Sequence, residues 1–210
     1  EAVLNYKNGI KVAPMYPSNY YRLALIYLDS KDKLNGLLYG EIFMNIERTT
    51  NRTQKISDLL YNTYEESISF NEDGTEVKID FCEIILSADD LKDGNLSLPL
   101  CASFGQNFIL SIINQKEITL SALSEIRTKF IEFFFQEDYK EYPNVLFEYH
   151  KKLADAGHFE AYNHYVFQIG APEEFEEWLE ENQEKYDAFV EWYTQNENII
   201  EVSVENRFAD

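Results

Sequence analysis

All three histidines of this 210-residue chain fall in one short stretch, HKKLADAGHFEAYNH, which runs from His150 to His164. Glu160 lies between the last two. Imidazole and carboxylate groups bind metals and move protons near neutral pH, so this spacing is the first place to look for chemistry. Glu160 and His164 are four apart and share one helix face. His158 and His164 are six apart, about 120° around a helix, and cannot both reach one ion if that helix is continuous. His158-x-Glu160 begins like a zinc-deaminase signature, but no PCxxC follows, and HExxH is absent. The expected role of the three histidines is therefore packing and capping. No metal site is expected, and Glu160 with His164 is the one pair worth testing.

Other catalytic signals are thin. The chain has no GxSxG, P-loop or GxGxxG, and it implies no cofactor and no catalytic residue. Ser103 has no histidine near it in sequence. Glu-Glu pairs are too common on helix surfaces to point to glycoside chemistry. Cys82 and Cys101 form no CxxC pair; two reduced core thiols are expected, with a single disulfide as the alternative.

The elements that must position these residues come next. The composition is that of a folded chain, 45% hydrophobic with fifteen Tyr and fifteen Phe. Its formal charge of −20 disfavours phosphate backbones and anionic lipid, which are bound by displacing counterions with Lys and Arg. Nucleic acid is thus an unexpected partner, while a basic protein is compatible. No uncharged apolar run reaches the length of a membrane span, so no membrane insertion is expected.

In EAVLNYKNGIKVAPMYPSNYYRLALIYL, Ala2, Tyr6, Gly9 and Pro14 carry the small, aromatic, small, proline order of one helix and its stop. Tyr20, Leu23, Ala24 and Tyr27 give the aromatic, leucine, small, tyrosine order of the next. This resembles the tetratricopeptide repeat (TPR), whose small residues let paired helices approach closely. The best match covers 1–47. It decays at LNGLLYGEIFMNIE, where Gly36 fits but Gly40 stands in place of an aromatic. The chain opens on the second helix of such a pair, which reads as part of a longer repeat protein. The resemblance implies a protein-binding module whose concave face is Ser18, Tyr21, Leu25 and Leu28, with Arg22 beside it. The competing expectation is that a neighbouring helix of the same chain covers these residues.

Farther on, KISDLLYNTYEES (55–67) reads as a helix. Asp73-Gly74 between alternating residues predicts a hairpin with strands near 67–71 and 75–82. Residues 87–98 read as a polar loop. LPLCASFGQNFILSII predicts a buried helix, with a strand over 107–113 as the alternative. Thr119 caps an apolar helix running through Phe134. Pro143, Gly157, Gly170 and Pro172 punctuate three or four C-terminal helices. Around 153–165, ADAGHFEA weakly resembles Sel1-like repeats.

The expected fold is mostly α: TPR-like helices over 1–66, a hairpin and loop insertion over 67–98, and a helical region over 99–198, packed as one domain. The expected function is a non-enzymatic protein–protein interaction or scaffold module. The alternatives are an acidic inhibitor or immunity-type protein capping a basic partner, and a metal-binding protein or enzyme using the histidine segment. The cysteines suit either side of a bacterial inner membrane.

Overall fold

A computed structural model of the chain describes residues 1–71, 76–84, 99–113 and 115–206. The predicted turn at Asp73-Gly74 and the polar loop at 87–98 lie outside them. The described elements are α1 (Ala2–Val12), α2 (Pro17–Leu28), α3 (Lys33–Ile46), α4 (Asn51–Ser67), β1 (Ile68–Phe70), β2 (Val77–Ile79), α5 (Leu100–Ile112), α6 (Leu120–Glu137), α7 (Val145–Asp155), α8 (Phe159–Phe167) and α9 (Pro172–Thr194). A single 3-10 turn, Asn196–Asn198, follows. The fold is mostly α with a small antiparallel hairpin, as the sequence predicts.

The centre of the molecule is α3, buried from Gly36 through Asn45 without a solvent face. A helix apolar all round belongs in a core. Two glycines let its neighbours close in. A Cβ on Gly36 would lie 2.6 Å from the backbone nitrogen of Leu28. One on Gly40 would lie 3.0 Å from Leu60, which explains the missing aromatic there. On α2, Tyr20, Leu23 and Ala24 are fully buried, and the Tyr20 hydroxyl donates to the carbonyl of Pro14 at 2.7 Å. Tyr27 stacks on Tyr39 of α3.

Local chemistry sets most boundaries. The Thr50 hydroxyl accepts from the backbone nitrogen of Thr53 while the Thr50 N–H donates to the Thr53 hydroxyl, so α4 starts at Asn51, ahead of the predicted Lys55. Thr119 caps α6 by accepting from the nitrogen of Ala122. At α7 the cap is Asn144, which accepts from Leu146 and Phe147, and Pro143 stands just outside. Gly157 has φ +77°, and His158 N–H bonds back to Leu153 while Gly157 N–H bonds to Ala154, a complete left-handed helix stop. Gly170 serves differently: a Cβ there would lie 2.4 Å from that of Tyr61, so it is small to admit α4.

The hairpin pairs Ile68 with Ile79, Ser69 with Lys78 and Phe70 with Val77. The expectation of free thiols is corrected: Cys82, just after β2, is disulfide-bonded to Cys101 at the start of α5, with Cα atoms 6.5 Å apart. The chain brings them together because Phe81 is pulled into the core between Tyr64, Phe104 and Phe108. The run 100–112 is helix rather than strand. Beyond the 3-10 turn ending at Asn198 the described residues form no further helix or strand, and Ile200 and Val202 are buried. One cluster of buried side chains runs from Ile10 to Val202.

Candidate functional site

The histidine segment does not form one site. Its three rings go to three places, because the stop at Gly157 turns α7 into α8 and sends the two helices in different directions.

His150 points into the core. Its Nε2 lies 2.6 Å from Oε1 of Glu41 on α3, and the same oxygen accepts from Arg127 of α6 at 2.5 Å and from the Tyr162 hydroxyl at 2.9 Å. Asn45 donates to the Tyr162 oxygen at 2.6 Å, and the Tyr193 hydroxyl of α9 donates to Oδ1 of Asn45 at 3.1 Å. Helices α6, α7 and α8 thus meet on one carboxylate of α3, and α9 joins through Asn45. Burial alone would raise the Glu41 carboxyl, but the charges of Arg127 and the contact with His150 outweigh it and hold it at about 2. Burial pushes His150 down despite Glu41, so the neutral ring donates from Nε2. Burial likewise opposes the Arg127 charge, and Glu41 more than restores it. The adjoining cavity is about 10 Å³, lined by Leu37, Phe104, Phe108 and Arg127 among others. No substrate fits there. The network is an internal tie between helices.

His158 sits at the start of α8, half-buried against Trp192 and Phe189. His164 is 1% exposed and stacks on Trp178 of α9 with ring centroids 3.9 Å apart. Its Nδ1 lies 2.9 Å from the backbone carbonyl of Glu160, which fixes the proton there. Nε2 is then a bare acceptor, and it has no partner. Burial also lowers the His164 pKa. The Glu160 carboxylate faces elsewhere: it accepts from Lys185 at 2.8 Å and from the Trp178 indole at 3.1 Å. Sequence spacing put Glu160 and His164 on one face, but their side chains are each committed to different neighbours. Among the described residues no group of three or more His, Cys, Asp or Glu converges as metal ligands would.

Beside His164, a groove of about 670 Å³ opens between α6 and the α7–α8 turn. Ser121, Ser124, Glu125, Thr128, Lys129 and Glu132 line one wall; Ala154, Gly157, Phe159, Glu160 and His164 line the other.

The face carried over from the TPR resemblance lies on α2. Tyr21 is buried, its ring 5.2 Å from that of Phe43 and capped by the Arg52 guanidinium. Ser18 accepts from Arg52 at 3.1 Å. Leu28 packs on Gly36, Leu25 is half-buried, and Arg22 is exposed. Helices α3 and α4 of the same chain therefore occupy most of this face.

Sequence reasoning missed Glu41 and Arg127. Both carried a readable signal. Glu41 is the lone charge between Leu34 and Met44 in an otherwise apolar helix, and Arg127 falls at core spacing between Leu123 and Phe130. Which pairs with which was not readable, since they are far apart in sequence.

Comparison with protein-family models, curated proteins and solved structures gives no match. The fold defines the class, a mostly α protein with a small hairpin, and function is read from the chain's own surfaces. No helix among the described residues is long and apolar enough to cross a membrane.

Proposed function

We propose that this protein is a protein-interaction module, built on TPR-like helical hairpins, whose partner carries a basic surface. The observation that supports this is α9. Between Glu173 and Glu191 it holds nine carboxylates against the single Lys185. Only Phe189 and Tyr193 of its residues are fully buried. Every carboxylate but that of Glu174 is exposed. Like charges three and four apart on a helix repel one another, so this face weakens the helix that carries it. A basic partner relieves that repulsion and is steered to the face from a distance. The α2 face gives the interaction less support, since α3 and α4 cover Tyr21 and Leu28.

The test is affinity capture at about 0.15 M and about 0.5 M salt, where screening differs strongly. It uses the wild-type chain and a variant with Glu176, Glu177, Glu180, Glu181 and Glu184 changed to Gln. Basic proteins should be held by the wild type at low salt, released at high salt and ignored by the variant. A captured set that is indifferent to both salt and the substitutions would remove this reading.

A further inference from the structure

The disulfide between Cys82 and Cys101 joins two unlike places. Cys101 is the second residue of α5, which starts behind Pro99 and has no acidic residue in its first turn. The Ala102 N–H bonds to the Pro99 carbonyl, and no side chain caps this helix start among the described residues. From Leu100 to Gln115 the sequence carries no charge at all. The partial positive charge of the helix start is therefore left uncompensated at Cys101. Cys82 stands instead at the end of the hairpin, flanked in the chain by the exposed carboxylates of Asp80 and Glu83. Lys31 pairs with Glu83 at 3.2 Å.

A disulfide is cut by a thiolate that attacks one sulfur and expels the other, and the better-stabilised thiolate leaves faster. A helix start stabilises a thiolate; neighbouring carboxylates do the opposite. Cys101 is thus the leaving sulfur and Cys82 the one attacked. Stabilising the released thiolate also favours the reduced form, so such a bond opens to weaker reductants than a sealed structural one. Both cysteines are half-buried, and Glu83 and Ile84 beside them are exposed, which lets a small thiol approach. The bond also has something to hold. Phe81, next to Cys82, is 3% exposed and packs on Phe104 and Phe108 of α5. Its carbonyl accepts from the Leu34 N–H of α3 at 2.9 Å.

We propose that Cys82–Cys101 is a reversible redox switch, opened by small thiols, that sets how firmly Phe81 and the hairpin are anchored between α3 and α5. A thiolate attacks Sγ of Cys82, forming a mixed disulfide and releasing the Cys101 thiolate, which takes up a proton. A second thiolate attacks the small-molecule sulfur of that mixed disulfide and frees Cys82, which is protonated in turn. Two small thiols are oxidised to one disulfide, and their two electrons and two protons convert the cystine to two thiols. The proposal is independent of what the protein binds.

The test incubates the full chain in glutathione buffers of rising reduced share, quenches with acid and weighs the products. The folded chain should open in reduced glutathione, close again in excess oxidised glutathione, and carry any trapped mixed disulfide on Cys82. Once reduced, Cys101 should react with iodoacetamide about tenfold faster than Cys82. Reduction should also speed hydrogen exchange at the Leu34 N–H. A Pro99→Asp variant separates a switch from a structural bond. Asp is a favoured cap, so the helix is kept, but its carboxylate occupies the helix start and should slow Cys101 alkylation several-fold while leaving Cys82 unchanged. A bond that resists reduced glutathione and opens only when the chain is unfolded overturns the proposal. Equal alkylation of the two cysteines does so as well, and so does Leu34 exchange that ignores reduction or a Cys101 rate unmoved by Pro99→Asp.

Discussion

His150 and His164 stand fourteen residues apart, on consecutive helices, and both are nearly inaccessible to solvent. Burial lowers both pKa values. Yet one is tied on its Nε2 to Glu41, while the other leaves Nε2 unpaired beside a groove. The difference teaches that burial alone does not say whether a histidine ties helices together. What separates them is whether the protein supplies the last hydrogen-bond partner. In the core, Glu41 satisfies the ring, and Arg127 satisfies Glu41. On α8, Nε2 of His164 is buried beside Trp178 with no hydrogen-bond partner from the chain.

Breaking the core side of the comparison should have the largest effect. Glu41→Gln leaves Arg127 buried without its counter-charge, and such losses run to about 3–5 kcal/mol. Urea unfolding should show this as a lower midpoint. Glu41→Leu/Arg127→Met, which removes both charges, should recover most of it, because a buried pair replaced by apolar groups is often near neutral. A double variant as unstable as the single one would show that the network does more than balance charge.

The histidines themselves give the second contrast. His150→Phe deletes a donor to a buried carboxylate and should cost about 1.5–3 kcal/mol. His164→Phe deletes an unpaired acceptor while keeping a ring on Trp178, and it should be within about 1 kcal/mol of wild type. Equal costs would erase the distinction drawn between them.

Acid should act on both regions in the same direction. Burial holds the histidines lower when folded, so as pH falls through the ordinary histidine range, about 6.5, the unfolded chain takes up more protons and stability drops. Glu41, held at about 2, adds a second loss as pH falls from its ordinary value of 4.5. Urea midpoints against pH should therefore decline in two stages, and His150→Phe should flatten part of the first. A midpoint that stays flat between about pH 7 and 5 would contradict the lowering of these rings by burial.

The smallest effect is expected at the rim. Glu160 and Lys185 form a half-exposed pair, and Lys185→Ala should cost less than about 1 kcal/mol in thermal unfolding.

Much of the fold was legible in the sequence because it depends on near neighbours. Helix spacing, the cap at Thr119, the left-handed stop at Gly157 and the existence of the hairpin are set within a few residues, whereas α7 was expected to open on Pro143 and is capped by Asn144. Tyr20, Leu23 and Ala24 marked the buried face of α2 by their period. The site was less legible. Glu160 and His164 shared a helix face by spacing, but Lys185 and Trp178, which decide where Glu160 points, come from α9. Tyr21 read as an open contact until α3 and α4 were in place over it.

The sequence by itself therefore determined the helical class, most element ends and the acidic character of α9, since periodicity, caps and charge are local or additive. Only the tertiary structure decided that Glu41, Arg127 and His150 form one network, that Cys82 meets Cys101, and that His164 lacks a partner. Each of these depends on distances between elements far apart in the chain, and such distances are fixed by how the whole core packs.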